Sequence, residues 1–149
     1  MLKGIDHRLN ADVLYTLRAM GHGDYLIISD TNFPADSIAA ETRAGELLRM
    51  ENLTAAEAVN AILSVMPLDT FVDDFAGRMQ VGDDPHAVPP VQAEVAAEIA
   101  AVGETRKMEV IERFAFYDLA KGAYAVIQSG ERRFYGCFML RKGVIPPEE

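Results

Sequence analysis

Cysteine is nearly missing: Cys137 is the only one in 149 residues, so no disulfide can form within the chain. Tryptophan is absent, and no apolar run approaches the ~20 residues a membrane-spanning helix needs. The opening "MLKGIDHRLN" has no apolar core of the kind that marks a signal peptide, which together with the lone thiol predicts a reducing, cytoplasmic setting. Basic residues are scarce, 14 against 23 acids, for a net charge of −9. Such a surface repels nucleic-acid backbones and anionic membranes and leaves a neutral or cationic small molecule as the easier partner. There are three histidines but no HExxH, CxxC or clustered ligand spacing, so no metal site is expected. GxGxxG and Walker-type loops are also lacking, and no cofactor is expected.

The residues present suit one globular domain over 1–149, half of them hydrophobic. Val13, Leu14, Leu17 and Met20 recur three or four apart behind Asn10, a candidate N-cap, and Gly21 ends that helix. "YLIIS" is too short and too β-branched for a helix and reads as a buried strand. "TNFPADSIAAE" reads as a loop or broken helix and "ELLRME" as a short strand. Thr54 with Glu57 forms a capping box ahead of the stripe Ala58, Ile62, Val65, Met66. "LDTFVDDFAGRMQ" is taken as a strand, "GDDPHAVPP" as a connector and "VQAEVAAEIAAVG" as a helix closed by Gly103. "KMEVIE", "RFAFYDLAKG", "AYAVIQS", "GERRFYG" and "CFMLRKGV" follow as strand, helix, strand, turn and strand. That is an α/β pattern with at least one antiparallel pair.

Polar groups collect near element ends: His22, Asp30, Arg113, Tyr117 and Tyr135. Each has a structural alternative. His22 can fill a left-handed turn, Asp30 can cap the next segment, and Arg113 can pair with Glu112 or Asp118 on the surface. The tyrosines can be core rings with wet hydroxyls, and Cys137 reads as a small buried hydrophobe inside a strand. His86 lies in the Pro-rich connector and reads as solvated.

"MGHGD", "IISDTNFPA", "RFAFYDLAKGAYAVIQSGE" and "RFYGCFMLRKGV", in this order, resemble the landmarks of the RbsD/FucU family of sugar-anomer enzymes. Residues 67 to 105 match nothing specific. The resemblance implies a three-layer α/β/α fold on a mixed sheet and a cofactor-independent mutarotase acting on a monosaccharide. It casts His22 as the catalytic acid/base and Asp30 as a sugar-binding carboxylate. Arg113 stands where the fucose branch carries arginine, and Tyr117 offers a ring face and a hydroxyl. Tyr135 begins a sugar-contacting motif in which Cys137 replaces asparagine. The family also implies ring-like decamers, hence a homo-oligomer. Other readings of the residues are a non-catalytic sugar-binding module and a pyranase acting on a pentose. One geometric problem precedes any structure: "YLIIS" extends roughly 17 Å at ~3.3 Å per residue and separates His22 from Asp30. Either the loops fold back along the strand or a neighbouring subunit supplies one group.

Overall fold

The computed structural model describes residues 1–148. In chain order its elements are α1 (Ala11–Ala19), β1 (Tyr25–Ser29), α2 (Ala35–Ala39), β2 (Leu48–Met50), α3 (Ala55–Leu63), β3 (Ala76–Met79), α4 (Pro90–Ala101), β4 (Glu109–Ile111), α5 (Arg113–Lys121), β5 (Ala125–Ser129) and β6 (Phe138–Arg141). The six strands form one sheet in the order β2-β5-β1-β6-β3-β4. β2, β5 and β1 pair in parallel, as do β3 and β4, while β6 runs antiparallel to both its neighbours, β1 and β3. The sheet is therefore mixed, with a single reversed strand joining two parallel groups.

Side-chain alternation sorts the apolar residues onto two faces. Leu26, Ile28, Ala125, Ile127, Phe138 and Leu140 pack with α1, α3 and α4, and Ile27, Val126 and Met139 pack with α2 and α5. This is the three-layer α/β/α arrangement. Because β1 is covered on both faces, it reads as a continuous apolar run, and a one-residue slip would exchange its two faces wholesale.

Local signals account for most boundaries. Asn10 accepts from the Val13 amide at 3.0 Å and starts α1. Thr54 and Glu57 form both halves of the capping box of α3. Gly103, at φ +92°, follows α4. Two expectations need correction. Of "LDTFVDDFAGRMQ" only the last part is strand; residues 69–74 form a loop whose backbone is held by side chains. Cys137 lies just before β6 rather than inside it, although its carbonyl accepts from the Met79 amide at 3.1 Å.

Candidate active site

Asp30 stands one residue beyond β1 and is buried. Its Oδ1 accepts from the amides of Asn32 (3.0 Å) and Phe33 (2.9 Å), and its Oδ2 from the amide of Gly136 (3.1 Å). A buried carboxyl group deprived of water needs such donors to satisfy its oxygens. Asp30 thus ties a turn and does not cap α2, whose N-cap is Pro34. Gly136 is required by this approach: a Cβ there would lie 2.8 Å from Glu131 Cγ and 3.3 Å from Asp30 Cβ.

Arg113 opens α5, where the Glu112 carboxylate accepts from the Phe114 and Ala115 amides and is held below the ordinary carboxylate range by those two bonds. Among the described residues the guanidinium forms no ion pair with Glu112 or Asp118. Its Nε donates to the Tyr117 hydroxyl at 3.1 Å, four residues on, which reinforces its charge. The Tyr117 ring meets Phe33 edge-on, with centroids 5.3 Å apart. Asp30, Arg113, Tyr117, Tyr135 and Cys137 together line a cavity of about 320 Å³, completed by Asn32, Phe33, Met79 and Phe134. Those last four were not anticipated, Asn32 and Phe33 despite lying within the "SDTNFPA" block.

Tyr135 holds a left-handed backbone at φ +61°, a conformation that costs a non-glycine residue about 1–2 kcal/mol. Cys137 is buried, and burial, then the neighbouring Asp30 charge, pushes its thiol well above the ordinary range. It stays protonated and belongs to the apolar cluster beneath the cavity as well as to its lining.

His22 sits elsewhere. In the turn after α1 the Gly21 amide donates to Asp24 Oδ2 at 2.8 Å, and Gly23 takes the left-handed conformation, φ +89°, which His22 does not need. The imidazole is 39% exposed, with Nε2 at 3.1 Å from Asp69 Oδ1 and its edge against the Phe71 ring, centroids 5.0 Å apart. Burial alone would raise the Asp69 pKa, but the Phe71 amide at 2.9 Å and His22 outweigh it, and the carboxyl lies below its ordinary value. Arg106 fixes the loop carrying Asp69 by donating to the carbonyls of Asp69 (2.9 Å) and Val72 (2.6 Å) while pairing with Glu104. Asp69 is a site residue that sequence reasoning missed, and the only available signal was a cluster of acids in "LDTFVDDF".

Within one chain the loops do not fold back. The Gly23 amide donates to the Lys142 carbonyl and Arg141 Nη1 donates to the Gly23 carbonyl, both at 2.9 Å, which pins the His22 turn to the far end of β6. The cavity lies at the near end of β6, beside Cys137, and His22 does not line it. The structure brings together five of the six expected residues and leaves the sixth, His22, at the opposite end of β1 and β6 with Asp69.

Known proteins resemble this chain along nearly its whole length. The fucose mutarotase of Danio rerio is 38% identical, across 100% of this chain and 97% of its own. The crystal structure of protein Atu2016 superposes with a TM-score of 0.95 at 60% identity, covering 98% of this chain and 97% of the other. That of a fucose mutarotase in complex with L-fucose, from Streptococcus pneumoniae, gives 0.87 at 32% identity over 97% of this chain and 100% of its own. Residues 3–145 match the RbsD / FucU transport protein family, and the chain belongs to that family.

Proposed function

We propose that this protein is a mutarotase that interconverts the anomers of a reducing monosaccharide, with L-fucose the first substrate to test, and that each active site is shared between two copies of the chain. The observation that carries the reading is the division of the site: a sugar-sized cavity with a fixed acceptor, Asp30, and a fixed donor, Arg113, at one end, and a carboxylate-held histidine at the other. The full-length relatives named fucose mutarotase support the choice of reaction.

Anomer exchange needs only proton transfers. An ionised Asp69 can only accept, so a neutral His22 carries its proton on Nε2 and presents the Nδ1 lone pair. Nδ1 takes the proton of the anomeric hydroxyl while the bond from C1 to the ring oxygen breaks. The imidazolium returns that proton to the ring oxygen, leaving an open-chain aldehyde. Rotation about the bond beside the carbonyl and the reverse transfers close the other anomer, with no net change in protons or electrons. Asp30, Arg113, Tyr117 and Tyr135 bind hydroxyls, and the Phe134 ring supplies an apolar wall.

Phe71 beside His22 is 70% exposed and Phe134 beside the cavity 72% exposed. Apolar surface at both halves of the site is what a second copy would cover. The ring-like decamer implied by the family resemblance is one closed assembly of this kind. The single buried cysteine suits the cytoplasm, and no helix among the described residues is long and apolar enough to cross a membrane.

Anomer-exchange NMR on L-fucose tests the reaction: faster exchange than in buffer supports it, and binding without faster exchange favours a sugar-binding module. D-ribose run alongside tests the pentose alternative. Mixing His22→Ala with Asp30→Asn chains, after verified subunit redistribution, tests the sharing. About a quarter of the sites then combine two intact halves in a statistical mixture, and activity should return to that level. Absence of recovery refutes the sharing.

A further inference from the structure

We infer that Gln92 is a positioning residue for the sugar cavity, acting through the peptide bond between Tyr135 and Gly136; the inference rests on the function proposed above. Gln92 lies in the first turn of α4, on the face of the sheet opposite the cavity, and is completely buried. Its Nε2 donates to the carbonyls of Met79 (2.7 Å) and Tyr135 (3.1 Å), both cavity residues. Its Oε1 accepts from Arg78 Nη1 at 2.6 Å. Turned over, the amide would set its nitrogen against a guanidinium and its oxygen against two carbonyls, so its neighbours dictate one orientation.

The carbonyl of Tyr135 and the amide of Gly136 are the two ends of one peptide plane. Gln92 holds the oxygen end and Asp30 holds the nitrogen end. That plane sets ψ of Tyr135 and so helps hold its left-handed backbone, φ +61°, which a tyrosine does not adopt unaided and which persists only where surroundings over-determine it. Release of the oxygen lets the peptide rotate, moving the Tyr135 ring and removing one of the three donors on Asp30. Arg78 extends the link, since it also donates to the carbonyls of Ala87 (2.9 Å) and Pro85 (3.2 Å) and so ties Gln92 to the connector before α4. No carboxylate pairs with Arg78 among the described residues, and Gln92 supplies its closest acceptor.

The deciding variant is Gln92→Glu. A carboxylate there keeps the acceptor for Arg78 and gives that guanidinium a counter-charge, so the fold is retained, but both donors are gone. The KM for L-fucose should rise ~10-fold with kcat changed less than about threefold, since a displaced binding group weakens sugar binding before it touches proton transfer. Carbon chemical shifts of residue 135 should leave the left-handed range. A folded Gln92→Glu protein with unchanged KM and an unchanged left-handed Tyr135 overturns the assignment. If that variant does not fold, Gln92→Met, similar in length and without donors, has the same two outcomes. If neither folds, Gln92 is a folding residue and the positioning role is refuted. Should the wild-type protein fail to accelerate L-fucose exchange, the mutarotase reading fails by itself, while the shifts of residue 135 still decide the role of Gln92.

Discussion

The two ends of β1 that carry polar candidate-site residues are built in opposite ways. At the Asp30 end both carboxylate oxygens are held, by three backbone amides on two separate segments that leave one acceptor position on Oδ2, and the tyrosine beside it is locked in a conformation it would not choose. At the His22 end the imidazole is part-exposed on a glycine-flanked turn and has one polar partner. A group that recognises hydroxyls gains from rigidity, because its hydrogen bonds are then paid for during folding. A group that moves a proton must keep one nitrogen free and reachable. The contrast is what the proposed division of labour, binding at Asp30 and proton transfer at His22, would require.

Mutations at the two ends should therefore fail differently. The largest effect is expected for His22→Ala, with exchange slowed by ~10²–10⁴-fold and melting temperature almost unchanged, measured by NMR exchange and thermal denaturation. Rates at the wild-type level would remove His22 from the mechanism. Asp69→Asn should lower kcat by about 10–100-fold, as loss of a group that orients another generally does, and leave KM nearly constant. The same variant has a pH signature. Asp69 titrates below its unfolded value near ~3.9, so it contributes stability that is complete above that pH and is lost as the pH falls through the lower folded value. Acid denaturation of Asp69→Asn should accordingly lose part of its steepness below about pH 4.

Asp30→Asn should do the reverse of His22→Ala: stability falls by about 1–3 kcal/mol because an amide nitrogen must face a backbone donor, and KM rises more than kcat falls. Equal loss of kcat at constant KM would make Asp30 part of the proton path and break the division. The smallest effects belong to Cys137. Its buried, protonated thiol should resist iodoacetamide in the folded protein at pH 8 and react once denaturant is added, read by mass spectrometry. Cys137→Asn sharpens the point. Tighter L-fucose binding at an unchanged melting temperature means that the side chain reaches the sugar, and a lowered melting temperature without gain in affinity means that it is core.

Elements encoded by neighbouring residues were legible in the sequence. The capping box at Thr54, the Asn10 cap and the apolar run of β1 all act within a few positions of themselves, and each stands where the pattern puts it. Motif resemblance added Asp30, Arg113, Tyr117, Tyr135 and Cys137, which the structure gathers around one cavity. Much of what could not be read comes from residues 67 to 105, where Asp69 and Gln92 meet partners 47 and 43 positions away. No local periodicity encodes such a contact. Tyr135 is a similar case: tyrosine has no preference for positive φ, and the peptide that follows it is held by Gln92 and Asp30, both remote in sequence. The unused option at the sequence level, loops folding back to join His22 with Asp30, was open because extended length alone does not say which end of β6 each loop is tied to.

The placement of β1 also bears on how the chain is made. Its only strand partners are β5 and β6, and the bond from Ser129 Oγ to the Ser29 carbonyl spans 100 positions. At ~5–20 residues per second, a ribosome needs roughly 5–20 s to deliver those partners after β1 has emerged. Throughout that interval Leu26, Ile27 and Ile28, fully buried at the end, have no sheet to join. The reversed strand β6 is the last to arrive, and until it does the β2-β5-β1 and β3-β4 groups share no hydrogen-bonded edge. The decisive pairing of this chain consequently waits for its last strand, is slowed because its defining contacts are remote, and leaves the chain most exposed to aggregation while its most apolar strand is unpaired.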